Sequence, residues 1–222
     1  MRAVRLLAST LAATMVLSAA GCGISGEAAD APTTPADLRR ALLTPAEVGN
    51  GFTVDPDPDD DSESGFDVSG ECRRLVDQFE ARDEGHQPLT KLKLENTDTR
   101  ATLLASLDFA DRVPVSLDEY LRFVRRCGEL PFDDDSGTMR VSAQRVEDLG
   151  DDALRLSVEI EIQEPTLRLR ATGYLWIHDD VAAQVIAFDG VDEDFSPIPL
   201  PNGFARSLAD KADRKLTRVL GD

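Results

Sequence analysis

A chain of 222 residues leaves room for one or two domains. It carries 42 acidic against 24 basic side chains, a formal charge of −18. Such a surface repels phosphate backbones and anionic headgroups, which excludes nucleic acid as a partner.

The N-terminus reads as a secretory leader over residues 1–21. Arg2 and Arg5 form a short basic region, Leu6 to Leu17 is apolar, and Ser18-Ala19-Ala20-Gly21 is a small-residue cleavage site. The apolar run is too short to span a bilayer. Cys22 stands where a bacterial lipobox places its lipidated residue, with Ala19 in place of the usual Leu. An ordinary secreted protein cut near Gly21 is the alternative. Removal of the leader takes Arg2 and Arg5 from the 24 basic residues, leaving 22 against 42 acidic and a net charge near −20. Residues 22–33 are small and polar and read as a tether, followed by one folded unit over 34–222.

Two helix starts follow in quick succession. Thr34-Pro35-Ala36-Asp37 and Thr44-Pro45-Ala46-Glu47 each place a capping Thr before Pro at the first helical position. Phe52 to Val54 suits a short strand. Asp55 to Gly65 is acidic and resembles a calcium loop, but it lacks Gly at the sixth position and Glu at the twelfth in any register. An acidic loop without metal is expected there. Ser69 caps a helix whose Cys72, Leu75, Val76 and Phe79 share one face.

Leu89–Leu94 and Ala101–Ala110 read as two strands, with Leu103, Ala105, Leu107 and Phe109 pointing one way. Ser116-Leu117-Asp118-Glu119 is a further capping box. It opens a helix with Leu117, Tyr120, Leu121 and Val124 inward and Cys127 beside them. With Cys22 assigned to lipid, Cys72 and Cys127 remain as a pair. A bridge would staple two helices across 54 intervening residues, worth about 4 kcal/mol by chain entropy. Two unpaired buried thiols are the alternative.

Thr138–Val146 forms the next strand. The strongest pattern lies beyond it. Leu154, Leu156, Val158, Ile160 and Ile162 alternate with polar residues, and after Glu164-Pro165-Thr166 so do Leu167, Leu169, Ala171, Gly173, Leu175 and Ile177. Centring the turn between Glu164 and Pro165 pairs Ile162 with Leu167 and Ile160 with Leu169. It also sets Glu161 opposite Arg168 and Glu159 opposite Arg170. Asp179-Asp180 turns into a last strand, Val181–Phe188. Asp189 to Asn202 reads as an acidic loop, and Phe204, Leu208, Ala212, Leu216, Val219 and Leu220 mark a C-terminal amphipathic helix. The expected class is α+β: an antiparallel sheet meander with amphipathic helices packed on it and one helix–helix disulfide.

Catalytic patterns are missing from the sequence. It has two histidines, His86 and His178, and no nucleophile elbow, P-loop, dinucleotide fingerprint or zinc-spaced Cys/His set. A Ser-His-Asp triad is defined by geometry and stays open as the third choice. No enzyme activity, metal or cofactor is expected. One sheet position stands out, because Tyr174 and Trp176 occupy the face that should be polar. If Leu175 and Ile177 pair on the side of Ala183, Val185 and Ala187, then Ile186 and Phe188 join the two rings. That makes an apolar ligand-binding patch flanked by Arg168, Arg170 and Glu159. A helix, the C-terminal one or Leu38–Leu43, covers the patch in the alternative.

Cys22, the segment Leu42-Leu43-Thr44-Pro45-Ala46-Glu47-Val48-Gly49 and the helix Tyr120–Cys127 together resemble actinobacterial envelope lipoproteins related to the extracellular sensor domain of PknH-type serine/threonine kinases. The resemblance implies a disulfide-stapled antiparallel sheet with helices on it, around a cleft for an unidentified ligand. The leading expectation is an extracytoplasmic lipoprotein, held to the cell membrane by lipid, with a non-enzymatic ligand-binding or sensor-like role. Its partner would be a small molecule, lipid or glycan. A structural or chaperone-like partner of an envelope protein complex is the second. The sequence contains no kinase domain, so sensing would pass through a partner.

Overall fold

A computed structural model describes residues 33–55, 66–83, 86–132, 136–163 and 166–221. The leader, Cys22, most of the acidic loop after Asp55 and the Glu164-Pro165 turn lie outside the described residues. The helices are α1 (Pro35–Ala41), α2 (Pro45–Val48), α3 (Gly70–Asp83), α4 (Leu117–Cys127) and α5 (Phe204–Leu220). The main strands are β1 (Phe52–Val54), β2 (Thr90–Asn96), β3 (Thr102–Phe109), β4 (Glu129–Pro131), β5 (Gly137–Val146), β6 (Asp152–Ile162), β7 (Leu167–His178) and β8 (Val181–Phe188). A small pair, β9 (Gly190–Val191) and β10 (Pro197–Ile198), forms inside the stretch expected to be loop.

The eight main strands make one antiparallel sheet in the order β1-β2-β3-β8-β7-β6-β5-β4. It consists of two meanders joined edge to edge where β3 pairs with β8. The β6–β7 register is the expected one: Ile162 faces Leu167, Ile160 faces Leu169, and Glu161 and Glu159 face Arg168 and Arg170. Both charge pairs form, at 3.0 Å and 3.6 Å. They are exposed and add little stability; the apolar side of the register fixes the pairing.

Strand alternation gives the sheet two faces and hence two cores. One holds Leu154, Leu156, Val158, Ile160, Leu175 and Ile186 beneath α4, whose Leu117, Tyr120, Leu121 and Val124 point inward. The other holds Leu103, Ala105, Ala153, Tyr174, Trp176 and Val185 beneath α5 and α1. Helices thus cover both faces, which is why β7 and β8 read as nearly continuous apolar runs toward their shared turn.

The expected capping boxes form at Thr44 and Ser116, and the capping Thr34 forms one as well. Each satisfies helix N–H groups that would otherwise lack partners. Asp37, hydrogen-bonded by the Thr34 side chain and backbone and by Arg40, is lowered from 3.8 to about 2. Burial pulls Glu47 upward, but hydrogen bonds from Lys215 and from Thr44 outweigh it and leave it below its ordinary value. Through Glu47, α2 is latched to α5: Lys215 Nζ donates to Glu47 Oε2 and to the Leu42 carbonyl, both at 2.8 Å.

Cys72 and Cys127 are joined as a disulfide between α3 and α4. Phe79 meets Phe123 edge to face at 4.8 Å, and Arg82 pairs with Glu119 at 3.1 Å along the same seam. Among the described side chains of α3 only Val76 is buried, so the staple carries much of that helix's attachment.

Two outcomes follow for stability. Replacing both Cys72 and Cys127 by Ser is expected to lower the melting temperature by roughly 8–16 °C, with α3 amides the first to lose exchange protection. An unchanged melt would show that the seam holds without its staple. Glu47 has a folded value below its ordinary 4.5, so its stabilisation is complete above that pH and is lost as pH falls through the folded value. Glu47→Gln should therefore flatten the fall in melting temperature below pH 4.5 while lowering it at neutral pH. Parallel melting curves across the acid range would rule out the latch.

Candidate functional site

The β7–β8 hairpin decides where the expected patch residues go. His178 pairs with Val181 across Asp179-Asp180, a two-residue turn with Asp179 at φ 52°. Trp176 then faces Ala183 and Tyr174 faces Val185, so both rings share their side with those residues. Ile186 lies opposite Gly173 and Phe188 opposite Ala171, on the reverse side. The expected common patch of Tyr174, Trp176, Ile186 and Phe188 therefore does not form. The parity was off by one position, and one position turns a strand over.

Each half of that set is covered. Trp176 is 1% exposed and its indole Nε1 donates to Asp213 Oδ1 on α5 at 3.0 Å. Gly150, at φ +55°, brings the preceding turn against the indole; a Cβ there would sit 2.8 Å from Trp176 Cδ1. Arg206 of α5 lies over the Tyr174 ring, 5.8 Å from its centroid, and donates to the Asp148 carbonyl at 2.8 Å. Ala205, Ala209 and Ala212 give α5 a small-residue face that allows this close approach. Ile186 and Phe188 join the core under α4. Arg168 and Arg170 stay exposed, paired with Glu161 and Glu159.

His178 belongs to the same seal. Its Nδ1 lies 2.9 Å from Asp213 Oδ1 and its Nε2 lies 3.4 Å from Thr217 Oγ1. Asp213 thus answers the buried Trp176 ring and the half-buried His178 ring from one carboxylate. This is a helix anchor built from polar groups, which a desolvated indole N–H requires.

A recess opens on the opposite face, toward the β7–β8 turn. It is lined by Ser106 and Asp108 of β3, Leu175, Trp176 and Ile177 of β7, Ala182, Ala183 and Gln184 of β8, and Pro88 and Val113. Its volume is about 40 Å³. Asp108 is its chemical centre. The β2–β3 ladder ends at Thr90 opposite Leu107, one residue short of Asp108. The incoming segment supplies His86 there instead.

The Asp108 side chain is 4% exposed, and its two oxygens differ. Oδ1 accepts from the Phe109 backbone N–H at 2.8 Å and lies 3.4 Å from Arg112 Nη1. Oδ2 lies 3.0 Å from His86 Nε2, close enough for an ion pair but out of line for a hydrogen bond. Both atoms are buried without a hydrogen-bond partner, the only such side-chain atoms among the described residues. A buried polar atom left so costs about 1–3 kcal/mol, more when charged. Sequence reading passed over this site. The available clue was an acid at Asp108, on the same strand face as Leu104 and Ser106, between Leu107 and Phe109.

No family model and no curated protein matches the chain. Among solved structures, it is similar to the extracellular domain of PknH from Mycobacterium tuberculosis. The TM-score is 0.48 and the identity 11%, over 85% of this chain and 99% of that one. The likeness is a distant one of fold. Among the described residues, no helix is long and apolar enough to cross a membrane, and no group of three or more His, Cys, Asp or Glu is placed to hold a metal ion.

Asp213→Ala should strand the Trp176 N–H and destabilise the protein by about 1–3 kcal/mol. The emission of this single tryptophan should move to the red as water reaches it. Unchanged emission and stability would mean that α5 does not depend on this anchor.

Proposed function

We propose that this protein is a lipid-anchored extracytoplasmic binding domain, non-enzymatic and sensor-like, that holds a small polar group in the Asp108 recess. Supporting the location are the leader-like residues 1–21, the lipobox-like Cys22 and the Cys72–Cys127 cystine. Structural disulfides persist outside the reducing cytosol. The observation that carries the binding half is a recess lined by Asp108, a nearly buried acid whose Oδ2 faces His86 Nε2 at 3.0 Å with neither atom in a hydrogen bond. A buried polar pair left out of hydrogen-bond geometry beside a recess is a place where a bound polar group would complete the bonding.

Supporting a binding role over catalysis is the engagement of both histidines. His178 is tied to Asp213 and Thr217 in the α5 anchor, and His86 faces Asp108. Signalling from such a site would pass to another protein. The Arg168–Arg170 region is no longer part of the proposed site, since it lies on the other face of β7 from the recess.

Two measurements test the two halves. Cys22→Ala should abolish incorporation of labelled palmitate and move the protein from the membrane to the soluble fraction; retention in the membrane would refute the anchor. In an NMR screen of small polar fragments on the full chain, hits should shift the Ser106, Asp108 and Gln184 amides selectively. Hits that cluster elsewhere, or none at all, would remove the recess from consideration.

A further inference from the structure

Resting on the lipid anchor at Cys22, we infer that the outer face of α1 and α5 docks on an anionic phospholipid surface and so sets which way the domain points. The first observation is a reversal of sign. The chain as a whole carries −18, yet α1, α2 and α5 together carry seven basic and four acidic side chains. These helices form one layer, since Leu38, Ala41 and Val48 share a core with Leu208, Ala212 and Leu216. The acids of that layer are engaged within the fold: Asp37 with Arg40, Glu47 with Lys215, Asp210 with Arg206, and Asp213 with Trp176 and His178.

The second observation is what remains unpaired. Arg39, Arg214 and Arg218 are exposed and pair with no acid among the described residues. Arg214 and Arg218 stand one turn apart on α5, away from its buried Leu208, Ala212 and Leu216. Guanidinium forks match phosphate oxygens bidentately, so these arginines suit glycerophosphate headgroups. The exposed acids of the β7–β8 turn, Asp179 and Asp180, belong to the sheet and not to the helical layer. The negative remainder of the chain acts only from a distance. Exposed charges more than about 8 Å away are largely screened at physiological salt, so the arginines that reach the headgroups decide the contact. Each one that reaches an anionic leaflet strengthens binding roughly fivefold.

The third observation is where the tether joins. Thr34 caps α1, so the chain runs toward Cys22 from the helical layer itself and not from the α4 face. Eleven residues from Cys22 to Thr33 reach at most about 40 Å, which keeps this layer close to the bilayer. The lipid gives the domain a position, and the arginine face gives it an orientation. With α5 toward the lipid, α4 and the Asp108 recess on the reverse side of the sheet point away from the bilayer, where a ligand or a second protein reaches them.

The test places the lipidated chain in nanodiscs of phosphatidylcholine, with and without phosphatidylglycerol. Phenylglyoxal, which modifies accessible guanidinium groups, then reads each arginine by mass spectrometry. With phosphatidylglycerol present, Arg39, Arg40, Arg214 and Arg218 should react roughly 5- to 10-fold more slowly, while Arg122 and Arg125 of α4 keep their rates. Salt at about 1 M should erase the difference. Combining Arg39→Gln, Arg214→Gln and Arg218→Gln should leave the melting temperature unchanged, because all three are exposed and unpaired, and should return Arg40 to its rate in pure phosphatidylcholine. No slowing, equal slowing on α4 and α5, or slowing on α4 alone in disc-bound protein would overturn the orientation and leave the anchor standing. Protein that stays out of the discs would overturn the anchor and the orientation with it.

Discussion

The two-residue turn at Asp179-Asp180 sets the parity on which the rest of the molecule depends. Because His178 pairs with Val181, Ala183 and Val185 join Trp176 on the α5 face and Ile186 goes to the α4 face. Shifting that pairing by one residue would turn every β8 side chain over, moving Ile186 out of the α4 core and Val185 out of the α5 core. Burial of a large side chain is worth roughly 1.5–3 kcal/mol, and a slip would lose several at once. No salt bridge on the sheet approaches that sum, since the arginine–glutamate pairs along β5, β6 and β7 are exposed and screened. Apolar packing chooses the register, and the charge pairs follow it.

Once the parity is fixed, the two faces acquire different attachments. The α5 face is closed by directed polar contacts. Asp213 takes Trp176 and His178, Arg206 covers Tyr174, and Lys215 reaches Glu47. A face with this many mutually dependent contacts holds one arrangement and has little freedom to admit a ligand. The α4 face is closed by packing in its middle and by a cystine at its margin, where α3 buries little of its own surface. Toward the β7–β8 turn neither device reaches, and there the sheet surface stays partly uncovered.

How much of this was legible in sequence depends on the range of the forces involved. The caps at Thr34, Thr44 and Ser116, the α4 and α5 faces and the β6–β7 register all follow from side chains within a few positions of one another. The cystine was legible by elimination among three cysteines. The Tyr174–Trp176 anomaly was visible, yet its meaning was not. Two aromatic rings on a nominally polar face signify a second covered face, and the covering helix lies some 30 residues downstream. The β3–β8 join is of the same kind: strands far apart in the chain become neighbours, and no local pattern marks it. Asp108 escaped because acidic residues are so common in this chain that one more carried no weight until its burial was known.

That burial separates Asp108 from the other acids. A carboxylate on a solvated surface needs no explanation. One at 4% exposure, in a strand flanked on both sides, must be answered by charge or hydrogen bonds, or replaced by an apolar residue at equal or better stability. Here one oxygen lacks a hydrogen bond. The backbone N–H of Phe109 and the half-exposed Arg112 serve Oδ1, while Oδ2 and His86 Nε2 face each other out of line. Packing alone gives no reason to keep an acid at this position, because Leu104 occupies the same strand face two pairs away without one. The proposed binding role would supply a reason, since an acid kept dry at the edge of a recess, with its His86 partner out of line, is a pairing that a bound polar group would change.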